Sequence, residues 1–152
     1  MRLNTKGRYA VMAVVELAIR GENKPVSLID IAERQSISLS YLEQIFARLR
    51  RAKLVRSIRG PGGGYLLAKT PDQVRISDVF SAFDDLPRDG RCSPSIPHAC
   101  SNRSVRCATH NLWAELGNEM FRAMQSITVA DVVNGSGLLA ATGENAGSFA
   151  AD

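Results

Sequence analysis

Apolar residues fill nearly every position from 9 to 19, with Glu16 the single charged member. A run of that continuity predicts a helix packed on nearly all sides, and Gly21 ends it. Ser27, with Asp30 three residues on, forms a capping-box-like pair and predicts a short helix over 27–34. Gln35-Ser36-Ile37 reads as a turn. Ser38 then caps a helix from 39 to about 52, in which Leu42, Ile45, Phe46 and Leu49 recur at i, i+3, i+4 and i+7. Opposite that stripe stand Ser40, Glu43, Gln44, Ala47, Arg48 and Arg51, the residue types that read a DNA groove. Two short helices joined by a tight turn, the second polar and basic outward, predict a helix-turn-helix. A plain helical hairpin would leave the adjoining segment unexplained: residues 54–59 read as a strand, Gly60-Pro61-Gly62-Gly63-Gly64 turns the chain, and 65–68 return as a hairpin wing. After Pro71 the pattern predicts a third short strand over 74–76, paired with the wing, and a helix capped by Ser77 that runs to about 83. Residues 84–109 carry almost no periodic apolar signal. Beyond them Trp113, Leu116, Met120, Met124 and Ile127 recur at spacings of 3, 4, 4 and 3, a narrow seam suited to a partner helix. Residues 128–134 read as a last short helix and 135–152, mostly Gly, Ala and Ser, as a flexible tail.

The chain has 152 residues, room for one core and an appendage. Its net charge of +4 hides an asymmetry: residues 1–70 carry 13 Lys and Arg against 5 Asp and Glu, whereas residues 71–152 carry 6 against 10. The basic half is the candidate polyanion surface, a solvated basic face being the alternative. Arg59 at the wing tip suits a narrow, strongly negative minor groove. A phosphate-cradling P-loop is excluded, since no Gly-Lys-Ser/Thr follows the glycines and both flanks read as strand. Glu16 and the charged stretch 20–24 argue against a signal peptide, and no apolar stretch approaches the roughly 20 residues of a membrane-spanning helix. A soluble, cytoplasmic protein without membrane association is expected.

All three cysteines and both histidines fall within 91–110. An odd cysteine count confined to one segment argues against a secreted disulfide framework. Cys92, Cys100, Cys107 and His110 give C-x7-C-x6-C-x2-H, with His98 two residues before Cys100. Soft and borderline ligands set among Ser, Asn, Arg and Pro suggest a metal rather than buried thiols. Three Cys and one His describe a closed zinc site, although only one ligand pair here is short. Arg91, Arg103 and Arg106 beside the thiolates would offset the charge of an anionic iron-sulfur cluster. By chemistry alone cluster and zinc stay equally open. No nucleophile-base pair is evident, and an enzyme is not expected.

The stretches "MRLNTKGRYAVMAVVELA", "ISLSYLEQIFARLRRAKLV" and "RGPGGGYLLAK" and the order Cys, Cys, Cys-x-x-His closely resemble the IscR-type iron-sulfur cluster regulators, winged helix-turn-helix transcription factors, over residues 1 to about 134. The resemblance implies a homodimer that binds a [2Fe-2S] cluster through Cys92, Cys100, Cys107 and His110, receives it from cluster-assembly proteins, and represses cluster-assembly genes. It also implies a major-groove reader in the helix of Ser38, Ser40, Tyr41, Glu43 and Gln44, and a minor-groove contact at Arg59 and Gly60. Glu43 would separate two classes of site. Arg2, Lys6, Arg8, Arg48 and Arg51 are candidate phosphate contacts. The spacers before Cys100 and Cys107 are longer than is usual in the family, which makes His98 a second candidate imidazole. The expected fold is mainly α with a small β-hairpin wing. A DNA-binding domain covers 1–83, a cluster-binding loop 84–110, a dimerisation helix and short C-terminal helix 111–134, and a tail 135–152; the homodimer forms through the helix of Trp113, Leu116, Met120 and Met124, and the partner is a double-stranded DNA operator. A redox- or nitric-oxide-sensing regulator with the same ligands, or a winged-helix protein with structural zinc, are the alternatives.

Overall fold

The computed structural model describes residues 5–21, 24–83 and 109–136, with backbone alone for His110 and Trp113. The expected mainly helical fold with a two-stranded wing is what forms. Helix α1 spans Thr5–Arg20, α2 Leu28–Gln35 and α3 Leu39–Arg51; strands β1 Val55–Ile58 and β2 Gly64–Leu67 make the antiparallel wing; α4 (Ile76–Ser81), α5 (His110–Ser126) and α6 (Val129–Val133) follow.

Helix α1 is the hub, packed against α2, α3, α4, α6 and the second strand of the wing. Ala10, Ala13, Val14 and Leu17 are fully or almost fully buried, but its burial is not all-round: Ile19 is 54% exposed at the last turn. Gly7 lets the Phe80 ring of α4 lie against the α1 backbone, since a Cβ there would fall 2.4 Å from that ring. Gly21 closes the helix by donating its N–H to the Leu17 carbonyl at 2.7 Å. Helix α2 starts as expected, the Ser27 hydroxyl accepting from the Asp30 N–H at 3.1 Å. It ends at Ser36, whose φ of 52° is left-handed. The Ile37 N–H then donates back to the Ala32 carbonyl at 3.1 Å, and this reversal sets the angle between α2 and α3.

Ser38 holds the cap position of α3, but its side chain makes no cap bond. Leu42, Ile45, Phe46 and Leu49 are buried as their spacing predicts. At the far end Lys53 (φ 58°) takes the left-handed position. Its N–H donates to Arg50 O and the Leu54 N–H to Leu49 O, both at 3.0 Å, which closes the helix and launches β1.

Pairing runs from Val55 opposite Leu67 to Ile58 opposite Gly64. The expected strand over 74–76 does not form and does not pair with the wing. A 3-10 turn, Pro71–Gln73, comes first, and Arg75 instead bridges Thr128 in the connection between α5 and α6. What adds to the wing is Val26: its N–H donates to Tyr65 O at 3.0 Å, and its carbonyl accepts the Tyr65 N–H at 2.8 Å. Ser77 is not the cap of α4 either. It lies inside the helix at 3% exposure, while Arg75 holds the cap position and its N–H donates to Asp78 Oδ2 at 3.1 Å. The short helix near the C-terminus forms as expected, with the Thr128 hydroxyl accepting from the Asp131 N–H and the Asp131 carboxylate accepting from the Thr128 N–H. Val129 is fully buried beside α1, so α6 closes the same core that holds the helix-turn-helix.

Candidate nucleic-acid interface

The outward face of α3 is built by default: once Leu42, Ile45, Phe46 and Leu49 take the core, helical geometry turns Ser40, Glu43, Gln44, Ala47, Arg48 and Arg51 to solvent. All six are exposed, as is Ser38. Tyr41 is the exception among the candidate DNA contacts. It is half-buried, its ring set edge-on to Tyr9 of α1 at 5.8 Å between centroids and 89° between planes. Tyr41 therefore braces α3 against α1 with one edge while the rest stays accessible. Lys6 and Arg8 lie exposed on the first turns of α1; Arg2 is outside the described residues.

The wing tip is a four-residue turn in which the Gly63 N–H donates to Gly60 O at 2.9 Å. Pro61 and Gly62 take the central positions, and φ of 71° at Gly62 makes it a type II turn. Arg59 and Gly60 are exposed there, and no atom approaches within 4 Å of where a Gly60 side chain would stand. The wing is locked onto α3 by the Tyr65 ring, 4.7 Å from Phe46 at 60°.

Two features eluded the sequence pattern. Glu16 is 8% exposed and is an anchor rather than an interruption. It accepts from Arg20 Nε at 2.5 Å and from Gln35 Nε2 at 3.1 Å, with Arg34 Nε at 3.9 Å, and so ties α1 to the end of α2. Arg48 holds its guanidinium over the Phe83 ring, 5.7 Å from the centroid. The signal for the first is the isolated carboxylate in an apolar run; the second pair, 35 positions apart, leaves none.

Of the candidate metal ligands, Cys92, Cys100 and Cys107 lie outside the described residues, as does His98. His110 begins α5. Among the described residues no three His, Cys, Asp or Glu side chains gather as a metal site.

The model of one protein family, described as Rrf2, iron-dependent transcriptional regulators, matches residues 3–135. The chain belongs to the Rrf2 family. Within it, the HTH-type transcriptional regulator IscR of Cronobacter sakazakii is 46% identical over 139 residues, 91% of this chain and 84% of that protein. The IscR of Yersinia pestis is 45% identical over 139 residues, 91% of this chain and 83% of its own. Among solved structures, T. potens IscR superposes with a TM-score of 0.72 at 33% identity, covering 98% of this chain and 95% of that one. CymR, the global cysteine regulator of B. subtilis, gives a TM-score of 0.72 at 30% identity over 88% of this chain and 97% of its own. This Rrf2 protein is an IscR-type transcriptional regulator that binds DNA, not an enzyme. No described helix is long and apolar enough to cross a membrane.

Proposed function

We propose that this Rrf2 protein is a cytoplasmic, homodimeric repressor that senses iron-sulfur cluster supply through a [2Fe-2S] cluster on Cys92, Cys100, Cys107 and His110, and controls cluster-assembly genes. The observation that carries the DNA half is the exposed row Ser40, Glu43, Gln44 on α3, beside a wing packed on the same helix through Phe46 and Tyr65, with Arg59 exposed next to its tip. Gln44 suits adenine, and Glu43 suits a cytosine N4 donor. An exposed carboxylate among phosphates rejects sites that offer it no donor. The cluster half is supported by the donor set and by the iron dependence in the family's description. Three thiolates and one imidazole fit an iron-sulfur cluster, which when bound supplies an anionic group whose occupancy follows its supply. Arg91, Arg103 and Arg106, neighbours of the cysteines in sequence, would offset that charge. His110, at the first residue of α5, would join the cysteine segment 84–110 to residues 111–134, the dimerisation helix and the short helix after it. Residues 1–83 then form the DNA-binding unit and 135–152 a tail.

The test is visible absorption with iron, sulfide and zinc content on protein purified without oxygen, repeated for Cys92→Ala. About two irons and two sulfides per chain, bleached by the substitution, is the expected result; a colourless protein with one zinc removes the sensor and leaves the DNA-binding reading. On DNA, Arg51→Ala weakens all sequences alike and lowers the salt slope by about one, whereas Arg59→Ala also shifts preference at wing-contacted positions. Equal, sequence-independent losses for both overturn the wing assignment.

A further inference from the structure

We infer that Phe83 is a positioning residue for DNA binding, which acts by holding Arg48 of α3 in a fixed orientation. The inference rests on the reading that α3 enters the major groove. Arg48 follows Gln44 by one turn and precedes Arg51 by three residues, so it shares the face offered to DNA. Among the described residues no carboxylate lies within ion-pair distance of it. Its guanidinium lies instead over the Phe83 ring, within the range of a cation–π contact. A stacked guanidinium keeps its in-plane N–H donors available, so the ring restrains the side chain without consuming what a phosphate needs.

The ring itself is held firmly. Phe83 is 4% exposed and belongs to the core. Its N–H donates to Phe80 O at 3.0 Å, and the Phe80 ring rests on Gly7 of α1. The start of α4 is pinned as well, through Ile76 N–H to Ile127 O at 3.0 Å. A free arginine loses much of its rotamer freedom on contacting a phosphate; one already restrained loses less and binds more tightly for the same contact.

The experiment is a double-mutant cycle in the full chain: Phe83→Leu, which keeps an apolar side chain in the core but removes the ring face, Arg48→Met, and both together. Duplex affinity is measured against salt concentration, with thermal melting to confirm that each variant folds. Phe83→Leu should weaken binding roughly two- to fivefold at an unchanged salt slope. Arg48→Met should lower the slope by about one, and in that background Phe83→Leu should cause no further loss. Equal losses from Phe83→Leu in both backgrounds, or none in either, overturn the inference. An Arg48→Met variant with unaltered affinity and slope overturns it too, but leaves the groove reading intact, which is judged separately by Gln44→Ala and Glu43→Ala.

Discussion

A buried carboxylate is tolerated only with partners, and Glu16 has three on two helices. Its role is therefore mechanical: it sets the end of α2, and through the Ser36 reversal the start of α3. Glu16→Ala should cost roughly 1–2 kcal/mol, read as a fall in melting temperature of a few degrees, and Glu16→Gln should recover part of it. An unchanged melting temperature for Glu16→Ala would show that α2 is held by its apolar contacts alone. The sequence made Glu16 visible as an anomaly but not its meaning, because the partners that explain it, Arg34 and Gln35, sit a helix away. The same limit hid Arg48 and Phe83. Conversely, Leu42, Ile45, Phe46 and Leu49 were legible because one helical period fixes which of them share a face, whatever they pack against.

At the level of elements, local chemistry was read correctly where it is self-contained. The Ser27–Asp30 cap and the Pro61-Gly62 turn need only neighbours. It misled over residues 74–76, a β-branched stretch whose partner is Thr128 rather than the wing, and at Ser77, where the adjacent Asp78 serves the helix start instead. Thr128 and Asp131 form the corresponding device at α6. The Thr128 hydroxyl and N–H hold the Asp131 carboxyl below its ordinary pKa of 3.8. A carboxylate whose folded pKa is depressed contributes stability above the unfolded value and loses it as pH falls through the folded one. The cap should therefore weaken progressively below about pH 3.8. Melting temperature followed against pH should fall more steeply there in the native chain than in Asp131→Asn; parallel curves would deny the cap any part in acid stability.

Over the whole molecule, the predicted seam of α5 divides. Met124 is buried at 8% in the chain's own core and Met120 and Ile127 pack against it, whereas Leu116 is 46% exposed, and Leu112, one turn before it and outside the seam, is 51% exposed. Among the described seam positions it is Leu116, in the N-terminal half of the helix, that stands open to the proposed second copy. Leu116→Glu should shift the sedimentation of a dimer towards monomer without lowering the melting temperature, while Met124→Glu should unfold the chain, since it drives a charge into the core. A Leu116→Glu dimer as firm as the native one would place association elsewhere, and a monomeric native chain would overturn the dimer itself. The segment 84–108 with its cysteines lies outside the described residues, so its chemistry is legible from composition and not from position.

The bridge between Val26 and Tyr65 carries a consequence for the operator. A Cβ on Gly64 would fall 2.3 Å from the Val26 carbonyl oxygen, so the wing is seated directly on the segment that leads into α2. Helix α3 and the tip of the wing thus form the two jaws of a caliper set to one opening. A target that places its two contact zones one base pair further apart moves the second by about 3.4 Å and turns it by about a tenth of a helical turn, which this caliper cannot follow. Operators with such an insertion should bind the native chain no better than unrelated duplex, and retained affinity would mean that the jaws flex.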